Sequence, residues 1–371
     1  MYMKPKKHLE QKSTYRECVS DGFERTTYHE VEVQDEFIDD DFEEITQLVN
    51  ERMAEGYYGD SSIDLERKRK GDIDKNNPST AWMYENIPGF DSWHSLVPTA
   101  GALDCIYRPG IDILPNNKEF TPEMKVWIHN ISDAIGIRSR ATVMEGIIVG
   151  EVLKDSSDSS PQEWISLACG AAQPVYESLG HIREKGGKTP QVTLVDYDKK
   201  ALKLASAIAD EQGLGENVST RRVNILNPSS ICSDRKNLGF FTSALASSQK
   251  LPKEKYDMVD AVGILEYLKE DDWKYTYNGV ISPKKKMAGA RTFLKNSFEL
   301  VKPGGLLVVG NMRDTHPQLG FTLNTIQWPH IQPRSIDEMV RICEDAGLTG
   351  ELDVYCQQDG VYAIYAIRKP I

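Results

Sequence analysis

The residues best suited to chemistry lie between Glu163 and Asp196. Leu167-Ala168-Cys169-Gly170-Ala171-Ala172-Gln173-Pro174 is a run of small residues that ends in glutamine and proline. Small side chains let the backbone come close to a ligand, and a turn that opens a helix aims amide groups at it. An apolar run at 164–168 leads into this turn, and a second at 191–195 ends on Asp196. An acid at the tip of a strand next to such a turn can accept hydrogen bonds from a ribose diol. The order strand, turn, helix, strand, acid is that of a nucleotide-cofactor half-site. Three further side chains could move a proton: Glu266, Tyr267 and His316, each just beyond an apolar run. Ligands bind open α/β sheets at the carboxyl ends of their strands, which is where these three fall.

The elements that must position these residues can be read from pattern. From Glu163 onward, strand-like runs near 164–168, 191–195, 218–224, 257–263 and 305–310 alternate with helical runs near 174–185, 198–212, 287–301 and 335–346. Such alternation predicts a parallel sheet. Runs at 350–356 and 361–368, joined through Asp359-Gly360, predict a terminal antiparallel hairpin. Upstream, Thr121-Pro122-Glu123 reads as a helix start, and Met124, Trp127, Ile128 and Ile131 share one face. Gly136 is expected to break that helix, with a second one from about 138 to 153. The acids at 39–44 suit the N-terminus of a helix running through Gln47, Leu48 and Met53. The rest of 1–45 reads as a solvated arm. The stretch 154–161 (Lys-Asp-Ser-Ser-Asp-Ser-Ser-Pro) is the clearest linker. It divides the chain into a mainly helical accessory or cap region, 1–157, and an α/β domain, 158–371.

Composition narrows the class. Of 371 residues, 40% are hydrophobic and 27% charged, ordinary for a globular protein. A net charge of −12 argues against an extended nucleic-acid surface, which needs Lys and Arg. Cys18, Cys105, Cys169, Cys232, Cys343 and Cys356 are scattered, with no Cys-x-x-Cys pair and no histidines at metal spacing. They read as reduced thiols of a cytoplasmic protein, with no metal site expected. No apolar run approaches the length needed to cross a bilayer, so no membrane partner is expected.

Residues from about 160 to the end resemble the class I S-adenosylmethionine-dependent methyltransferase family. The resemblance rests on the turn at 167–174, on Leu194-Val195-Asp196, and on Tyr256-Asp257-Met258-Val259-Asp260 followed by Gly263-Ile264-Leu265-Glu266-Tyr267. It also rests on the run 300–308, Leu-Val-Lys-Pro-Gly-Gly-Leu-Leu-Val. It implies a doubly wound, mostly parallel seven-stranded sheet with a C-terminal antiparallel hairpin, and S-adenosyl-L-methionine as cofactor. By the same resemblance, Ala168, Cys169, Gly170, Ala172 and Gln173 would form the cofactor loop and Asp196 would take the ribose hydroxyls. Tyr197 would lie near the adenine, with Asn224 and Ile225 at its edge. Gly263, Leu265 and Glu266 would wall the transferred methyl, and Arg138 or Arg140 would hold the methionine carboxylate. The loop departs from the family, which usually has two or three glycines there after an acidic residue. Here only Gly170 remains, and alanine fits only where φ stays negative.

Methyl transfer is an in-line displacement that needs alignment and a dry pocket more than catalytic side chains. A base is required only if the acceptor still holds its proton, and His316, Glu266 and Tyr267 are the candidates. No Asp/Asn-Pro-Pro-Tyr motif follows the fourth expected strand, and no Pro-Cys nucleophile is present. A small molecule accepting at O, N or C is therefore the leading substrate, with protein, peptide or RNA, or a non-catalytic cofactor-binding relative, as alternatives. Trp82, Tyr84, Trp93, His94, Trp127 and Trp328-Pro329-His330 could wall its pocket or form core.

Overall fold

The computed structural model describes residues 8–12, 22–34, 74, 77–108, 110–154, 160–227, 250–277, 280–328 and 331–371. The acids at 39–44 with their expected helix, Cys18, Cys232, most of the 154–161 stretch, Pro329 and His330 lie outside the described residues. The strands are β1 (His8–Lys12), β2 (Arg25–Gln34), β3 (Glu163–Leu167), β4 (Gln191–Asp196), β5 (Val218–Arg222) and β6 (Tyr256–Ala261). They continue with β7 (Trp273–Tyr277), β8 (Val280–Met287), β9 (Val301–Met312), β10 (Glu351–Gln357) and β11 (Tyr362–Arg368). Nine of them form one mixed sheet in the order β1-β2-β10-β11-β9-β6-β3-β4-β5, while β7 and β8 pair separately.

In the sheet, β6, β3, β4 and β5 run parallel to β9, whereas β11 is antiparallel to both β9 and β10. The resemblance implied seven strands, and the sheet has nine because the N-terminal segment adds two. β2 pairs in parallel with β10, and β1 closes on β2 in antiparallel register. Thr26, Thr27 and Val31 of β2 are buried against the sheet. Glu30 and Glu32, placed between apolar positions, make the same stretch read as a solvated arm when only its composition is weighed.

Helices α1 (Pro78–Asn86), α2 (Phe90–His94), α3 (Ala100–Tyr107), α4 (Pro122–Asn130) and α5 (Ser132–Lys154) precede β3. Then come α6 (Gln173–Glu184), α7 (Lys199–Glu211), α8 (Ala290–Leu300), α9 (Leu319–Asn324) and α10 (Ile336–Asp345). Both faces of the sheet are covered. Met144 and Ile148 of α5, Val175 and Leu179 of α6 and Ala205 of α7 pack on one face. Phe293 and Leu294 of α8 and Met339 and Ile342 of α10 pack on the other.

The start of α4 follows the sequence: the Thr121 hydroxyl accepts from the Met124 amide at 3.2 Å, with Pro122 in the first turn. The break falls elsewhere than expected. It comes at Ile131, whose backbone is extended (φ −67°, ψ 148°), and α5 runs straight through Gly136. That glycine serves a close approach instead, since a Cβ on it would lie 2.4 Å from the Val361 side chain.

A third apolar cluster joins the N-terminal helices to the far end of the sheet. Phe90, Trp93 and Trp127 meet there with Met312, Phe321, Trp328 and Tyr362. Phe90 and Trp93 each meet Trp127 edge-on, at ring-centroid distances of 5.2 and 5.9 Å. Among the described residues, no helix is long and apolar enough to cross a membrane.

Candidate functional site

The parallel strands β3, β4 and β6 end side by side, and the small-residue turn leaves β3 at that edge. The chain then takes three left-handed steps, at Ala168 (φ 50°), Gly170 (φ 56°) and Ala172 (φ 59°), separated by residues of negative φ. Two alanines therefore stand where glycine would be unstrained, at a cost of about 1–2 kcal/mol each. This differs from the expectation that alanine keeps to negative φ, and it means the turn's shape survives the loss of glycines. Such alternation makes a concave row of backbone amides. The Cys169 amide donates to the Val195 carbonyl at 3.1 Å, which ties the turn to β4.

Asp196 at the tip of β4 faces the turn. Its Oδ2 accepts from the Gly170 amide at 3.0 Å and its Oδ1 from the Asp198 amide at 2.8 Å. Burial raises its carboxyl above the usual range, against the pull of the amides of Asp198, Gly170 and Tyr197. Two lone-pair directions on each carboxylate oxygen leave room for further donors.

A cleft of about 590 Å³, counted with its open mouth, lies above the turn. The whole turn lines it, Ala168, Cys169, Gly170, Ala172 and Gln173 included, as do Gly263, Arg140 and Asp260. Its roof is supplied by α3 through Ala100, Leu103, Asp104 and Tyr107, and by Met144 of α5. Asp104 is fully buried and paired with Arg108 one turn along its helix. Two polar atoms on the lining have no hydrogen-bond partner: the Nε of Arg140 and the Oε1 of Gln173. The Cys169 thiol is raised well above its usual range by burial and by the carboxylates of Asp196 and Asp260, so it stays a thiol.

Arg140 marks the inner end of the cleft. Its Nη1 donates to Glu266 Oε1 at 3.1 Å, both side chains being nearly inaccessible, and its guanidinium stacks 4.4 Å over the Tyr362 ring. Glu266 leaves its Oε2 without a partner, and burial raises its carboxyl even with Arg140 beside it. A second, narrower hollow, about 240 Å³ counted with its open mouth, lies beyond Arg140 and shares Leu103 and Arg140 with the cleft. Its other walls include Asp133, Tyr267, Trp328 and Tyr362. The Trp328 indole N–H donates to the Tyr267 hydroxyl, and burial raises that phenol well above its usual range.

Of the other expected site residues Gly263 lines the cleft, Asp196 and Glu266 stand behind its lining through their bonds to Gly170 and Arg140, and the rest fall outside it. The His316 side chain is fully enclosed: its Nδ1 accepts from the Gln318 amide at 2.9 Å and its Nε2 meets Asp133 at 3.2 Å. Both ring nitrogens are thus occupied in a packing role. Leu265 is buried in a short 3-10 turn, whereas Gly263 faces Arg140, whose Nη2 would be 3.1 Å from a Cβ there. Tyr197 is exposed and carries Arg222 at 5.1 Å over its ring. Asn224 turns its Oδ1 to the Leu226 amide at 3.1 Å, and Ile225 packs in the core. Arg138 donates to the His129 carbonyl and lies away from the cleft lining. Tyr84 and His94 bond to each other at 2.7 Å, and with Trp93 and Trp127 they are core. Among the described residues, no cluster of His, Cys, Asp and Glu could hold a metal.

Sequence reasoning placed Arg140 of α5 at the cofactor but missed Met144 and the roof residues of α3, because nothing local marks a helix 60 residues upstream as a neighbour of the turn. It also gave Asp260 no role. A signal was present there: a lone acid at the end of the otherwise apolar Met258-Val259-Asp260-Ala261 run of a strand expected to be buried on both faces.

No family model matches the sequence, and no curated protein matches it either. Solved structures do resemble the fold. A possible exported protein from Bordetella parapertussis is 16% identical, with a TM-score of 0.50 over 85% of this chain and 99% of that one. The CurJ carbon methyltransferase is 13% identical, with a TM-score of 0.48 over 81% of this chain and 72% of that one. An O-methyltransferase family protein from Burkholderia thailandensis is 15% identical, with a TM-score of 0.38 over 79% and 71%. The fold is a Rossmann-like α/β one, carrying two added N-terminal strands.

Proposed function

We propose that the protein binds S-adenosyl-L-methionine in the cleft above β3 and β4 and transfers its methyl group to a small molecule. One observation carries the reading: the Gly170 amide and the Asp196 carboxylate meet at 3.0 Å, at the carboxyl ends of adjacent parallel strands. That juxtaposition joins an amide-lined turn to an acid able to accept from a ribose diol. The unpartnered atoms fit the same ligand. Arg140 has a free, buried Nε to offer a carboxylate, and Gln173 has a free acceptor in the turn.

When bound, the cofactor supplies a methyl group already activated by its sulfonium, so displacement needs an aligned acceptor and little proton chemistry. This chain's part is to hold the cofactor against the turn, to exclude water through α3 and α5, and to present the acceptor from the side of Arg140. The narrow hollow beyond Arg140, walled by Tyr267, Trp328 and Tyr362, favours a small acceptor over a polymer. Tyr267 walls that hollow, and Glu266 stands behind it, bonded to Arg140. Of the two, Glu266 has the unpartnered oxygen with which to accept a proton from an acceptor hydroxyl or amine. His316 takes no part in this reading.

Calorimetry with S-adenosylmethionine and S-adenosylhomocysteine tests it. Both should bind, and Asp196→Ala should weaken both by about ten- to a hundredfold, the worth of charge-assisted hydrogen bonds to a diol. Failure of the wild type to bind either compound removes the proposal. An unchanged affinity in the variant removes the ribose assignment.

A further inference from the structure

The floor of the cleft contains a carboxyl group with no cation against it. Asp260 stands near the end of β6, directly across from Ser166 of β3 in the parallel register, and is 4% exposed. Its Oδ1 accepts from Ser166 Oγ at 2.9 Å and its Oδ2 from Trp164 Nε1 at 2.7 Å. Both donors are neutral. An asparagine could satisfy the same two groups, since a serine hydroxyl also accepts, so neither bond calls for a charge.

Other charged and titratable groups face the cleft from every element packed there. They are Cys169 in the turn, Asp104 and Tyr107 on α3, and Arg140 of α5, with Asp196, Arg108 and Glu266 behind that lining, bonded to Gly170, Asp104 and Arg140. Only burial and the two neutral donors act on Asp260. A buried carboxylate without a cation is costly, and in a cleft that cost marks a ligand-facing group.

We propose that Asp260 is the anionic counter-group for a cationic group of the ligand seated in this cleft, the sulfonium or the α-ammonium of S-adenosylmethionine. The assignment rests on the cofactor reading above and adds a binding residue to it. Burial pushes the Asp260 carboxyl up to about 7, so the empty cleft at neutral pH is partly protonated there. A cation arriving beside it favours the ionised form and drives the proton off. Cofactor affinity must then be weak at low pH and rise as pH passes through the titration of the free protein.

The test is calorimetry on the full chain between pH 5.5 and 7.5, in buffers of different ionisation heat so that released protons are counted. Three probes are compared: S-adenosylmethionine, S-adenosylhomocysteine and 5′-methylthioadenosine. For wild type the affinity for S-adenosylmethionine should rise about ten- to thirtyfold over that range, with proton release on binding near pH 6.5. If S-adenosylhomocysteine shares the rise, the ammonium is the partner; if it does not, the sulfonium is. Either outcome supports the proposal, and 5′-methylthioadenosine, which carries neither cation, should show no rise. Asp260→Asn should bind S-adenosylmethionine about tenfold or more weakly at pH 7.5, with a flatter profile. Wild-type affinity that is independent of pH and releases no proton overturns the proposal, whatever the variant does. Binding of none of the three by wild type removes the cofactor reading and this proposal together.

Discussion

Burial of Asp260 has a consequence for stability as well as for binding. In the unfolded chain an aspartate ionises near 3.9, whereas in the folded protein this one holds its proton up to about 7. Between those values the folded state binds more protons than the unfolded state, so stability falls as pH rises through that window and levels off above 7. A shift of about three units corresponds to about 4 kcal/mol, an upper figure because a real site relaxes around the charge. Asp260→Asn keeps both hydrogen bonds and loses the titration. The ligand-free variant is expected to be more stable than wild type by about 2–4 kcal/mol at pH 7.5, with the gap closing toward pH 4. Urea unfolding of both proteins at several pH values measures this directly. Parallel profiles would show that Asp260 is not titrating as buried. Profiles that diverge as expected would mean that neutralising Asp260 stabilises the empty protein while weakening cofactor binding, as expected of a charge retained for a ligand.

At the scale of elements, the helix that carries Arg140 is set by a glycine one turn earlier. α5 crosses the hairpin strand β11 close by Val361, and Gly136 is what permits the approach. A methyl there would meet Val361 at 2.4 Å, too close for either side to absorb without backbone movement. Gly136→Ala should therefore destabilise by about 1–3 kcal/mol, even though alanine is the better helix former. Gly150, further along the same helix, has no neighbour within 4 Å of its missing Cβ. Gly150→Ala should stabilise by about 0.5–1 kcal/mol, and equal shifts in the two variants would remove the packing explanation. Because Arg140 sits four residues beyond Gly136, cofactor affinity should fall with the first substitution and hold with the second. The case also shows what periodicity can and cannot deliver. Most helices and strands after Glu163 are legible because each apolar run has one consistent period and clear ends, and the turn with Asp196 is local in sequence; β7, β8 and α9, short or lysine-rich, carry no such period and go unread. Gly136 reads as a breaker until the strand that passes beside it is known. β2 hides its alternation behind Glu30 and Glu32, and α3 joins the cleft only through tertiary contact. Pattern finds what lies within one βα unit and leaves unread what distant packing brings there.

At the scale of the whole molecule, the question is whether the N-terminal helices form a unit of their own. A chain of 371 residues split near 157 would ordinarily unfold in separate steps. Three features oppose that here. β2 lies in the main sheet, hydrogen-bonded to β10 over seven residue pairs. α5 covers one face of that sheet beside α6. The third apolar cluster draws Phe90, Trp93 and Trp127 onto Met312, Trp328 and Tyr362, all from beyond β9 or its end. Stripping the N-terminal helices away would expose the large apolar faces that these residues share, so the helices and the sheet should unfold together. The tryptophans allow a direct test: Trp93, Trp127 and Trp328 sit in the third cluster, whereas Trp164 is in the core of the sheet. Tryptophan fluorescence, weighted toward the third cluster, and far-ultraviolet circular dichroism, weighted toward sheet and helices alike, should give superimposable urea curves. Saturating S-adenosylmethionine should move both curves together, because the cleft draws its floor from the sheet and its roof from α3 and α5. Two separated transitions, with only one shifted by the ligand, would mean that the helical region docks on a sheet able to hold the cofactor alone.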